Sequence, residues 1–225
     1  MSFPPLSDAP ARARVVLFAF LLVVTTTGCT QAYYSAMEKI GQDKRDILSS
    51  RIEGGRDDQE EAQEQIKTTY ERLKEAARYD GGDLETIYNR LNADYERSVD
   101  RAEDVRDRID SIEQVASDLW TEWASEIEQI PRESRKRQSR QLLEDTKGRY
   151  RKVIGAMKRS ESKMQPVLDA FRGEVLFLKH NLNARAIASL EETAVEIRGD
   201  VESLIRDIDA SIKEAESFLD QLEQG

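Results

Sequence analysis

The chain has 225 residues, with 44 acidic and 34 basic side chains, a formal net charge of −10, one cysteine and one histidine. An acidic balance with 7 % aromatics argues against a nucleic-acid binder, which must displace counterions from phosphates with positive charge. One cysteine excludes an internal disulfide, and with one histidine it cannot build a structural zinc site. The high charged fraction, 35 %, instead suits long helices.

The N-terminus reads as a targeting signal. Arg12 and Arg14 form a short basic region, Val15 to Val24 is an unbroken apolar run, and Thr25-Thr26-Thr27-Gly28-Cys29 follows. Ten apolar residues span only about 15 Å as a helix, too short for a ~30 Å hydrocarbon core. The arrangement resembles a bacterial lipoprotein signal (1–28), with Cys29 lipidated as the mature N-terminus and 29–32 as a short tether. An ordinary secretory signal or an uncleaved anchor is the alternative. Under the general sorting pattern of such lipoproteins, Thr30 favours the outer membrane, facing the periplasm.

From residue 33 to 225 the pattern predicts one all-α domain, an elongated up-down-up-down antiparallel four-helix bundle of coiled-coil type. Helices are expected at about 33–79, 84–130, 134–180 and 184–222. Asp80-Gly81-Gly82-Asp83 supplies a glycine stop and an N-cap, and Pro131 ends or starts a helix. Asn181-Leu182-Asn183 can provide a left-handed cap and a second N-cap. The second segment steps by three or four through Leu84, Ile87, Leu91, Tyr95, Ser98, Ala102, Val105, Ile109, Ile112, Ala116, Leu119, Trp123, Ile127 and Ile130. The third repeats every seven residues through Leu143, Tyr150, Met157, Met164, Phe171 and Leu178. In the fourth, the stripe runs Ile187, Leu190, Ala194, Ile197, Val201, Leu204, Ile208, Ile212 and Ala215. Sustained heptads of this kind specify a buried seam. The first segment is weaker, with Ile47, Ile66 and Leu73 interrupted by Gly54-Gly55, where a kink or soft point is expected. Pro166 is expected to bend the third helix without ending it.

Charge is unevenly placed. Residues 33–130 hold 26 acids and 14 bases, 132–163 hold 4 acids and 12 bases, and 164–225 hold 13 acids and 6 bases. Within the basic stretch, Arg132, Arg135, Lys136, Arg137 and Arg140 are candidate contacts for anionic headgroups, worth about 1 kcal/mol per well-placed base. Internal complementarity to the acidic second and fourth helices explains the same residues.

No catalytic constellation emerges. His180 has no second histidine or Glu-x-x-His partner, no Gly-x-x-x-x-Gly-Lys loop occurs, and Asp80–Asp83 lacks the alternating ligands of a calcium loop. No catalytic residue, cofactor or metal site is therefore assigned. The segment that stands apart is the third turn. There Phe177, Lys179, His180, Asn181, Leu182, Asn183 and Arg185 are candidate residues of an interaction tip, the alternative being a plain capped hairpin. Trp120 and Trp123 read as core and seam residues, with membrane-interface anchoring as the second reading.

Four motifs carry a resemblance: Tyr33-Tyr34-Ser35-Ala36-Met37-Glu38-Lys39, Lys44-Arg45-Asp46-Ile47, Tyr79-Asp80-Gly81-Gly82-Asp83-Leu84 and Phe177-Leu178-Lys179-His180-Asn181-Leu182-Asn183-Ala184-Arg185-Ala186. With them the chain resembles the bacterial domain of unknown function 2959 family over nearly all of the mature region. The resemblance implies a helical envelope protein and brings no catalytic residues. The expected role is a non-enzymatic, lipid-anchored structural or interaction protein of the envelope. Its partners would be the membrane, through Cys29, and an envelope protein, with no nucleic acid. The alternative is a peripheral module binding an anionic membrane surface through 132–163.

Overall fold

Helices α1 (Lys44–Ala77), α2 (Leu84–Gln129), α3 (Glu133–His180), α4 (Ala184–Glu196) and α5 (Arg198–Glu223) follow one another along the chain. They come from a computed structural model that describes residues 44–78, 83–181 and 184–223. The side chains of 184–186, 188 and 223 lie outside that description. So do Cys29, the expected first turns of the first helix, Asp80 to Gly82, Leu182 and Asn183. The chain divides into two compact units, residues 1–46 and 47–225; of the first, only Lys44 to Asp46 are described, as the opening residues of α1.

Within the second unit the helices form an all-α bundle, and each cross-helix contact fixes a direction. Arg72 meets Asp94 and Asp58 meets Arg108, so α1 and α2 run antiparallel. Arg106 with Glu161 and Lys136 with Glu128 set α2 against α3 in the same sense. Arg149 with Gln221 and Lys163 with Ser203 do so for α3 and α5. Gln63 with Asp209 closes the ring between α1 and α5. The topology is up-down-up-down.

Local chemistry sets the ends. Asp83 caps α2, its Oδ1 accepting from the Glu85 N–H at 3.0 Å and its Oδ2 from the Thr86 hydroxyl at 2.6 Å. Ile130 takes extended backbone (φ −70°, ψ 116°), as a residue before proline must, and α3 restarts two residues beyond Pro131. Helix α3 runs 48 residues, about 72 Å, and Pro166 does not end it. The expected fourth helix is instead divided at Ile197 into α4 and α5. The Ile197 N–H still reaches Thr193 O and the Val201 N–H reaches Ile197 O, both at 3.0 Å, so hydrogen bonding crosses the irregular turn. Gly199, with its poor helix propensity and open surroundings, is the local reason for the irregularity.

The third seam is buried as its heptads predict, from Leu143 to Leu178. The first differs from expectation. Its buried face is Leu48, Ile52, Gly55, Gln59, Ala62, Ile66, Thr69, Leu73 and Ala76, an unbroken alternation of fours and threes. Helix α1 also continues through Gly54-Gly55. A β-carbon on Gly55 would stand 3.0 Å from Ile112 Cδ1 and 3.2 Å from Met157 Cε, and one on Gly54 would stand 3.1 Å from the Arg108 guanidinium. The pair is therefore a notch that seats α2 and α3 side chains, with Arg108 crossing it to bond Asp58 at 2.7 Å.

Two polar clusters cross the interior. Gln59 donates to Ser160 Oγ at 2.6 Å and accepts from Ser211 Oγ at 2.8 Å, and all three side chains are buried. Ser211, and not the expected Ile212, takes the deepest position on α5 at that level. Further along, Thr69 Oγ1 lies 2.8 Å from Ser98 Oγ and donates to Asp94 O at 3.0 Å. The great majority of buried polar groups in folded proteins are paired in this way.

Candidate functional site

A helix advances 100° per residue, so four consecutive apolar side chains cannot share one face. At the end of α3 the run Val175 to Leu178 therefore divides. Val175 and Leu178 are buried, while Leu176 is 45 % and Phe177 36 % exposed. Lys179 and His180 follow, both exposed, in the last turn where cations complement the helix C-terminus. Asn181 caps the helix with φ −137° and ψ 62°, outside the expected left-handed region. Its N–H bonds Leu178 O at 3.1 Å and its side-chain amide bonds Phe177 O at 3.0 Å, so the amide supplies what a left-handed turn would have. Arg185 lies in α4, its side chain outside the described set.

Below this end, α4 is pinned to α3 and to α1. Thr193 Oγ1 donates to Glu174 Oε1 at 2.8 Å, and the Tyr70 hydroxyl donates to Ala194 O at 2.9 Å. Burial raises the Glu174 carboxyl above its usual range, the Thr193 hydrogen bond opposing that shift. Burial likewise raises the Tyr70 phenol, countered by the nearby Lys74 charge.

The basic stretch is spread along α3. Lys136 and Arg140 both bond Glu128 of α2, at 2.9 and 2.8 Å, and their hydrogen bonds lower the Glu128 carboxyl to about 2. Arg135 bonds Gln138 at 2.9 Å, Arg132 occupies the N-cap without a side-chain cap bond, and Arg132, Arg135 and Arg137 are exposed. Further on, Lys158 pairs with Glu113 and Lys163 with Asp207. Lys136, Arg140, Lys158 and Lys163 thus meet acids of the flanking helices. Trp120 stacks edge-on to Tyr150 at 5.6 Å, and Trp123 Nε1 donates to Ser139 Oγ at 3.3 Å. Both tryptophans are half-buried between α2 and α3.

Two surface hollows were not apparent from the linear sequence. One, about 520 Å³, lies between α1 and the α4–α5 pair, floored by Tyr70, Ala194, Val201 and Ile205 with Val195 70 % exposed at its edge. The other, about 480 Å³, lies between α1 and α2 and gathers three arginines. Among the described residues no group of three or more His, Cys, Asp or Glu side chains is placed to hold a metal ion. Nor is any described helix long and apolar enough to cross a membrane.

A family model described as "Protein of unknown function (DUF2959)" matches residues 33–222. The chain belongs to the DUF2959 family. The match takes in α1 and α2, the basic stretch, the α3 end and nearly all of α5. No curated protein and no solved structure matches the chain.

Proposed function

We propose that this DUF2959 chain is a non-enzymatic, lipid-anchored protein of the cell envelope. Cys29 tethers it to the outer membrane on the periplasmic side, and the end of α3 docks an envelope protein. The observation that carries the docking reading is the pair Leu176 and Phe177. They are exposed side by side in the last turns of α3, the other exposed large apolar residue of that helix, Leu142, standing alone near its start, and they are rimmed by Lys179 and His180. An apolar spot with a polar rim suits a partner of matching shape. A photocrosslinking residue at Phe177 should capture a discrete partner in intact cells, and one at the exposed Glu216 should not. Capture at both positions, or at neither, removes the docking role. For the anchor, Cys29→Ser should move the protein from the membrane to the soluble periplasmic fraction. Persistence in the membrane fraction would exclude it.

The second reading, adhesion to an anionic membrane, draws on Arg132, Arg135 and Arg137, which are exposed beside the α2–α3 turn. It requires that chain from Tyr33 onward sediment with anionic vesicles at low salt and leave them as added salt screens the charges. Sedimentation unchanged by Arg132→Gln, Arg135→Gln and Arg137→Gln together would dismiss it.

A further inference from the structure

The α1–α2 hollow has a composition at odds with its surroundings. Residues 33–130 hold 26 acids against 14 bases, yet Arg72, Arg90 and Arg97 converge on this one space. Asp94, 3 % exposed, sits between two of them. Its Oδ2 accepts from Arg72 Nε at 3.0 Å and its Oδ1 accepts from Arg97. Glu75 accepts from a second Arg72 nitrogen, Nη1, at 2.6 Å on the outer side.

These bonds orient the guanidiniums without exhausting them. Each carries five N–H donors in a rigid fork, and Asp94 engages one nitrogen of Arg72 and one of Arg97. Arg90 lies exposed on the same α2 face, one turn before Asp94, with the Asn89 amide beside it. A carboxylate ligand is satisfied by one fork. A tetrahedral dianion presents oxygens in several directions and is the better match for several forks on facing helices.

We propose that this cleft is a binding site for a phosphate-type oxyanion, with Arg72, Arg90 and Arg97 as ligands and Asp94 as the residue that positions Arg72 and Arg97. The same group is presented by free phosphate compounds and by the headgroup of a phosphatidate-like lipid. None of the residues lining the site belongs to the α3 end or to the basic stretch, and the assignment does not depend on either reading of function above.

The test uses the full chain in zwitterionic detergent, titrated with inorganic phosphate at constant ionic strength and followed by nuclear magnetic resonance of the arginine side chains. A parallel arm measures co-sedimentation with phosphatidylcholine vesicles with and without phosphatidic acid. Saturable binding is expected, weakened about tenfold or more in Arg97→Gln and in Arg90→Gln, and unchanged in Arg140→Gln on the basic stretch. Arg90→Gln alters an exposed side chain, which keeps the test readable if Arg97→Gln fails to fold. A response to free phosphate identifies a soluble source, and a response confined to phosphatidic acid identifies a headgroup. Absence of saturable binding in both arms, or an equal loss in Arg140→Gln, overturns the assignment.

Discussion

Helices α1 and α3 occupy the same bundle yet pack in opposite styles. The α3 seam is built from Leu143, Tyr150, Met157, Met164, Phe171 and Leu178, large side chains that lose much water-accessible area on burial. The α1 seam places Gly55, Gln59, Ala62 and Thr69 among its larger members. The first style contributes stability in bulk; the second contributes fit, because a glycine admits neighbouring side chains and a buried glutamine must find particular partners. The contrast teaches that burial and hydrophobicity are separable along one bundle, and that a polar seam can still be a complete one.

The contrast can be tested by breaking each style in turn. Phe171→Ala should cost the most, about 3–5 kcal/mol in urea unfolding, since a 1 %-exposed ring leaves a cavity that helices cannot close. Gly55→Leu comes next, at about 1–3 kcal/mol, because the side chain must displace Ile112 and Met157. Gly55→Ala should be nearly neutral, since the gain in helix propensity offsets contact with two flexible side-chain ends. Equal effects from the two variants would remove the notch interpretation. Gln59→Leu should cost about 1–2 kcal/mol by stranding buried hydroxyls. Adding Ser160→Ala and Ser211→Ala should restore stability, and a triple variant less stable than Gln59→Leu alone would show that polarity is not the issue.

The smallest effect concerns Glu174, whose carboxyl is raised by burial. A carboxyl with a folded-state pKa above its unfolded value of about 4.3 loses stability as pH rises through that interval. Glu174→Gln, which keeps an oxygen for Thr193, should therefore stabilise the fold at pH 7. The gain should stay within about 1 kcal/mol after solvent screening, and vanish below pH ~4. A gain that persists in acid would point to packing and not to charge.

This contrast also explains what the linear pattern revealed. The seams of α2 and α3 were legible because large apolar residues mark them at heptad spacing. The α1 seam was not, since Gly55, Gln59 and Thr69 carry no hydrophobic signal and their burial depends on partners about 100 and 150 residues away or across the α1–α2 turn. Ser211 is outranked by Ile212 in the linear pattern for the same reason. At the α3 end, Phe177, Lys179 and His180 stood out as a local cluster, whereas the exposure of Leu176 follows only from helix phase. The arginine cleft joins residues 72, 90 and 97 from two helices, a grouping that no single segment displays.

The Gln59 bridge has a mechanical consequence. Sliding α1 by one heptad, about 10 Å, would set its amide beside Val153 or Val167 on α3, and beside Leu204 or Phe218 on α5, all buried hydrocarbon. Such slippage would strand the amide's donor and acceptor at once. A pull or push on α1 is therefore handed to α3 and α5 as load, with no sideways gear for the helices to slip into.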